Sequence, residues 1–180
     1  MSARSGLAAG ARQIIHAEPH SGCFVCGKDN PGGLGLVFQR LDNGRMKALW
    51  SPGSRWEGFR GIVHGGVVST VLDEAMSKSV AAAGCEALTA ELRMRFRRPV
   101  QSGGLFQIQG WIVRRSKRLI EAEAVLESLD GLEYAHAWAR FLSLPDSRAP
   151  LLRVVTAPDD GDHFEVDFYE TPELPGQEGS

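Results

Sequence analysis

A histidine and two glycines, His64-Gly65-Gly66, open a stretch that reads as an apolar helix, and an aspartate, Asp73, lies nine residues past the histidine. Glycines at a helix start leave backbone N–H groups uncovered and unsatisfied, and the macrodipole adds positive potential there. Such a donor suits a developing oxyanion. A carboxylate in apolar surroundings suits a general base or a nucleophile. The competing reading is that Asp73 only caps or pairs with an arginine. Glu74 points about 100° away from Asp73 around a helix and precedes Lys78 by four residues, which reads mainly as an ion pair. Thr70, Asp73 and Ser77 share one stripe at spacings of three and four. Nine residues of helix span roughly 13 Å, so His64 and Asp73 of one chain should not touch.

Other groups with chemical potential lie on either side. Arg97 and Arg98 end one strand-like run, and Arg114, Arg115, Lys117 and Arg118 flank a turn. Guanidinium groups match phosphate oxygens, although a solvated strand end is an equal reading for any one of them. Arg93 and Arg95 read as facing solvent or another subunit. Cys23 and Cys26 have knuckle spacing, with His16 and His20 upstream. The favoured reading is a glycine-rich loop with two packed thiols and no bound metal. The alternative is a tetrahedral zinc site of His16, His20, Cys23 and Cys26. A redox pair is disfavoured because no strand–helix context follows. Cys85 reads as a small buried hydrophobe.

The elements that must position these groups follow from periodicity. Residues 1–19 are weakly patterned and read as an N-terminal arm. Strands are expected near 35–41 and 45–51, joined by the turn signal Asp42-Asn43-Gly44, with Pro52-Gly53 ending the second. Val67, Val68, Val71, Leu72, Ala75 and Met76 give a broad apolar helix surface from Gly65 to about Ala83, with Gly84 as its stop. Four alternating runs come next. Leu88, Ala90, Leu92, Met94 and Phe96 are expected on one face, opposite Glu91, Arg93, Arg95 and Arg97. Phe106, Ile108 and Ile112 alternate, as do Ile120, Ala122, Ala124 and Leu126. In the last run Ala135, Ala137, Ala139 and Phe141 share a face, and these small residues suit a closely approaching helix. Asp130-Gly131 marks a tight turn. The expected class is α+β, an antiparallel sheet of about six strands around one long central helix. Residues 20–144 form that domain and 145–180 a C-terminal extension, in which 151–156 and 163–169 could add short strands.

The chain has 180 residues, 43% hydrophobic and 23% charged, with a formal net charge of −2. One domain with a true core is expected. No basic field argues for nucleic acid, no apolar run reaches membrane length, and the first residues carry no secretory signal pattern. The cysteines number three, an odd count that argues against a disulfide framework. These features point to a cytoplasmic protein.

The segment Trp56-Glu57-Gly58-Phe59-Arg60-Gly61-Ile62-Val63-His64-Gly65-Gly66-Val67-Val68-Ser69-Thr70-Val71-Leu72-Asp73-Glu74-Ala75-Met76 resembles the hotdog-fold acyl-CoA thioesterases of the phenylacetate-pathway, or PaaI-like, group. Phe96-Arg97-Arg98-Pro99-Val100, Cys23-Phe24-Val25-Cys26-Gly27 and Asn30-Pro31-Gly32-Gly33-Leu34 extend the likeness across roughly residues 20–144. The resemblance implies a hotdog fold and hydrolysis of an acyl-CoA thioester to acid and CoA, without a cofactor. It implies a homodimer with a continuous sheet and two interfacial sites, a tetramer being the alternative assembly. It assigns the acid to Asp73, the carbonyl-polarising amide to Gly65 with Gly66 beside it, the histidine to His64, and helper hydroxyls to Ser77 and Thr89. Arg97, Arg98 and Arg115 become candidates for CoA phosphates. Asp73 could activate water or attack the carbonyl to give an anhydride. One departure stands out. Relatives often carry Asn or Gln six residues before the histidine, where this chain has Gly58, next to Glu57. Gly58 favours the alternative of a non-catalytic acyl-CoA binding or scaffolding protein. A hydratase ranks last because its Asp…His signature is missing. Trp56, Phe59, Met76 and Trp138 are candidates for either pocket or core.

Overall fold

A computed structural model describes residues 22–144. The arm at 1–19, the strands considered at 151–156 and 163–169, and the rest of the 145–180 extension lie outside the described residues.

In chain order the elements are β1 (Gln39–Arg40), β2 (Met46–Trp50), a 3-10 turn (Ser54–Trp56), β3 (Glu57–Phe59), β4 (Ile62–Val63), α1 (Gly65–Ala82), β5 (Ala87–Phe96), β6 (Phe106–Arg115), β7 (Leu119–Ser128) and β8 (Glu133–Ser143). Six strands form one antiparallel sheet in the order β1-β2-β6-β7-β8-β5, and β3-β4 is a separate small hairpin. The expected sheet and helix are therefore both present. The first strand is shorter than the expected 35–41. Gly35 takes a φ of 64°, and the N–H groups of Leu34 and Leu36 donate to Phe24 and Val25 of the cysteine loop instead of to a strand. The Asp42-Asn43-Gly44 turn forms, with Gly44 at φ 80° and its N–H on the Leu41 carbonyl at 2.9 Å.

The centre of the core is the contact between α1 and the sheet. Val68, Val71, Leu72, Ala75, Met76 and Val80 of α1 are buried. Each large side chain among them contributes roughly 1.5–3 kcal/mol on burial. The sheet meets them with a row of very small residues. Gly110, Ala124 and Ala137 lie opposite one another across β6, β7 and β8. At Gly110 the approach reaches the backbone: an added Cβ would stand 2.4 Å from the Ala75 carbonyl oxygen. The expected close approach extends beyond the last strand to the middle of the sheet. The helix ends where expected. Gly84 adopts φ 73°, its N–H donates to the Ala81 carbonyl and that of Cys85 to Val80, which is the Schellman pattern.

One expected alternation is corrected. Leu92, Met94 and Phe96 pair with Ala139, Ala137 and Ala135 and so share the helix-facing side of the sheet. The register then shifts between Thr89 and Glu91, leaving Ala90 as an extra residue. A one-residue bulge inverts the faces before it. Leu88 therefore pairs with exposed Leu142 on the outer face, and Thr89 pairs with buried Phe141 on the inner one.

Candidate active site

The small β3–β4 hairpin delivers the histidine to the helix. The Val63 N–H donates to the Val100 carbonyl at 2.8 Å, and the His64 N–H to the Trp56 carbonyl at 2.8 Å. His64 then caps α1: its Nδ1 accepts the Gly66 N–H at 2.9 Å. An accepting Nδ1 assigns the ring proton to Nε2 in the neutral imidazole. The N–H groups of Val67 and Val68 both reach the His64 carbonyl, at 2.9 and 3.2 Å. The first turn of a helix has four orphan donors. Here three are satisfied, and the exposed Gly65 N–H has no acceptor among the described residues. The two glycines are thus not equivalent. Gly66 is consumed by the cap, and Gly65 presents its donor outward.

A cleft of about 350 Å³ adjoins this position, with Gly65, Val68, Phe96, Arg97, Arg98 and Val100 among its lining. Phe96 covers Gly65 closely: a Cβ there would stand 3.5 Å from the ring. The role of Phe96 was not singled out in the sequence. Its only signal is its place just before Arg97-Arg98-Pro99. Arg97 ion-pairs through Nε with Glu133, and Arg98 donates from Nη1 to the Glu133 carbonyl at 2.5 Å. Arg115 is not brought here. It donates to the Ala83 carbonyl at 3.2 Å, at the C-terminal end of α1, where a cation also meets the negative end of the dipole. Trp56, Phe59, Met76 and Trp138 do not line the cleft. Met76 is core, Phe59 is 79% exposed, and Trp138 lies beneath Arg93 and Arg140. Arg93 is exposed and pairs with Glu91 at 2.6 Å.

Gly58 has a physical reason. An added Cβ would stand 2.9 Å from the His64 Cδ2, so the histidine cap occupies the space a side chain would need. Beside it the Glu57 carboxylate accepts from Ser102 Oγ at 2.5 Å. That bond and the Gly61 backbone hold its carboxyl below the usual range.

Asp73 forms a second, separate cluster. Thr89, turned inward by the bulge, donates from Oγ1 to Asp73 Oδ1 at 2.9 Å. Burial raises the Asp73 carboxyl above its ordinary value, the Thr89 bond opposes this, and the Glu74 charge adds to it. The Ser77 hydroxyl, half-buried one turn on, has no hydrogen-bond partner among the described residues. Glu74 pairs with Lys78 at 3.5 Å as its spacing predicted. Gly65 and Asp73 are eight residues apart on one helix, about 12 Å. One chain therefore carries an amide donor at one place and a carboxylate at another.

Cys23 and Cys26 are free and half-buried, and Glu74 approaches them across the loop. His16 and His20, the other members of the considered zinc set, lie outside the described residues.

Residues 60–135 match the model of the thioesterase superfamily. Over 121 residues the chain is 26% identical to acyl-coenzyme A thioesterase THEM4 of Bos taurus, covering 65% of this chain and 50% of that protein. It thus spans about half the length of this curated relative. It is similar to a phenylacetic acid degradation-related protein of Ralstonia eutropha, at 27% identity and a TM-score of 0.55, covering 61% of this chain and 85% of that one. It is also similar to the BH2602 protein of Bacillus halodurans, solved with CoA, at 25% identity and a TM-score of 0.56, covering 62% and 76%. The resemblance carried by the histidine-glycine-glycine segment is borne out, and so is the hotdog fold.

Proposed function

For a hotdog domain of the thioesterase superfamily, we propose hydrolysis of an acyl-CoA thioester to the free acid and CoA. The observation that carries this reading is the free Gly65 N–H, the one first-turn donor that the His64 cap leaves unused, beside an apolar cleft with two arginines at its rim. A thioester carbonyl oxygen that accepts this N–H becomes more electrophilic at carbon, and the negative charge developing in the tetrahedral intermediate strengthens the bond. Arg97 and Arg98 supply positive charge for the CoA phosphates. The CoA-bound relative supports that ligand class.

Asp73 is the base or nucleophile in this reading. As a base it takes a proton from water, which attacks the thioester carbon; collapse of the intermediate expels the CoA thiolate, and the proton returns to the thiolate. As a nucleophile it forms an acyl anhydride that water then opens. Thr89 orients its carboxylate, and Ser77 supplies a further hydroxyl one turn away. Gly65 and Asp73 cooperate only if two chains combine, so a homodimer belongs to the proposal. Edge strand β5 supports it. Leu92 and Phe96 lie on the helix-facing side of the sheet yet remain 37% and 52% exposed, beside an unpaired strand edge. A second copy continuing the sheet would cover them.

A panel of short, medium, long and aromatic acyl-CoAs assayed with wild type and Asp73→Asn tests the reading. Hydrolysis of at least one class, reduced by 10² or more in the variant, is expected. Absence of cleavage with tight CoA-ester binding would instead favour the non-catalytic alternative, which the missing amide at Gly58 also fits.

A further inference from the structure

We propose that Cys23, Cys26 and Glu74 form a zinc site that fastens the loop at residues 22–34 to α1. Both Sγ atoms and a Glu74 carboxylate oxygen lie within 4.8 Å of one another, and all three residues are half-buried. Ligand atoms around a tetrahedral zinc with bonds of 2.0–2.3 Å are about 3.5–4 Å apart, so side-chain adjustment of an ångström or less closes the site. Two thiolates and one carboxylate favour zinc over magnesium or calcium, which prefer all-oxygen shells. The sequence favoured packed thiols without metal and offered upstream histidines only as the alternative partners of the cysteines. The fold instead brings a carboxylate from the central helix, 48 residues after Cys26 in the chain.

The loop is already shaped to present the two thiols. The Gly27 N–H closes a turn on the Cys23 carbonyl at 3.0 Å. Asn30 braces the loop through the Gly22 carbonyl at 3.1 Å and the Gly32 N–H at 2.9 Å. Gly33 packs so tightly that an added Cβ would stand 2.9 Å from the Phe24 carbonyl oxygen. Arg55 donates to the Gly33 carbonyl at 3.0 Å from the far side. Lys78, 3.5 Å from Glu74 and with only 15% of its side chain exposed, supplies outer-shell charge. The balance is exact in protons and charge. Zinc displaces one proton from each thiol to solvent, leaving two thiolates, one carboxylate and a divalent cation, a net single negative charge that the Lys78 ammonium offsets.

A carboxylate oxygen beside two thiols suits a divalent cation better than a disulfide, which would use only the sulfurs, and coordination deprotonates a thiol outright. Glu74 sits about 100° around the helix from Asp73, so the metal would brace the helix and take no part in thioester chemistry. The fourth position falls to water.

The full chain, purified untagged and without chelator, should contain about one zinc by elemental analysis. Zinc added to stripped protein should release about two protons, and cobalt(II) should give thiolate-to-metal charge-transfer absorption. Cys23→Ser and Cys26→Ser should abolish both signals. Because those variants could misfold, Glu74→Gln is the deciding one: it should keep the helical circular dichroism while weakening zinc about 10–100-fold. Cys85→Ser should leave binding unchanged. Wild-type zinc affinity in Glu74→Gln overturns the carboxylate ligand, as would loss of zinc only in His16→Ala or His20→Ala. Failure of reduced wild type to bind added zinc overturns the site altogether. No outcome depends on thioesterase activity, so the two proposals fail separately.

Discussion

At residue scale the sharpest consequence concerns a single hydrogen atom. Gly65 is the first helical residue, where proline is tolerated because the N–H has no partner inside the helix. His64 already has the extended ψ of 132° that a following proline requires. Gly65→Pro should therefore delete the proposed donor with little change in Tm, and should lower kcat about 10²–10³-fold. Unchanged kcat on a folded variant would remove Gly65 from the mechanism. Gly58→Asn tests the departure from the relatives. Its Cβ would collide with His64, so restoring the amide should lower both Tm and kcat/KM. Overpacking of this kind costs about 1–3 kcal/mol. Asp73 sets a pH dependence. Its carboxyl is raised by burial, so the acidic limb of kcat/KM should lie above the ordinary 3.8. Thr89→Val removes a bond that favours the charged form, and should move that limb further up in pH. The same sign governs stability. A raised carboxyl contributes fully below its unfolded value, and the contribution is lost as pH rises through the folded one. Asp73→Asn should therefore unfold at higher temperature than wild type near neutrality, with the gap narrowing in acid, as thermal melts across pH would register.

At the scale of elements, helix and sheet are held together by what is missing from their contact. The row Gly110-Ala124-Ala137 lets α1 lie almost on the backbone of β6. Gly110→Ala should cost about 1–3 kcal/mol in denaturant melts, since the obstructing atoms are helix backbone and cannot rotate away. The helix, its glycine stop and the Asn-Gly and Asp-Gly turns were legible because each rests on local chemistry: apolar spacing, positive φ and side-chain caps. The alanines of β8 announced close packing, but their partner Gly110 did not, because its neighbour is 35 residues earlier in the chain. The β3–β4 hairpin was also hidden. Its strands are too short for alternation, and the hydrogen bonds from β4 and His64 to Val100 and Trp56 come from tertiary context.

For the whole molecule, the proposed cooperation of Gly65 with Asp73, about 12 Å apart on one helix, predicts a working pair of chains. Sedimentation should give a dimer, and Phe96→Glu or Leu92→Arg should weaken it and lower activity together. Complementation is the stricter measure. Gly65→Pro and Asp73→Asn should each be inactive alone. Refolded together at equal amounts, they should recover about a quarter of wild-type activity, because half the dimers are mixed and each mixed dimer has one intact site. No recovery, from a mixture shown to exchange subunits, would place both groups' roles within one chain. The separation of the two groups within one chain was legible from helix rise alone, because eight or nine residues of helix cannot bring them together. Which cysteine neighbour comes from the helix was not legible, since Glu74 has an adequate explanation in Lys78.

The extra residue at Ala90 acts as a phase inverter for the edge strand. Everything upstream of it reads out-of-step with everything downstream, so inside and outside are exchanged without any change in composition. Excising that one alanine would swing Leu88 inward and Thr89 outward, stripping Asp73 of its hydroxyl neighbour while leaving every side chain of the site in the protein. The position of the hydroxyl is thus encoded by a count, and a length change of one would displace it from Asp73 as surely as a substitution.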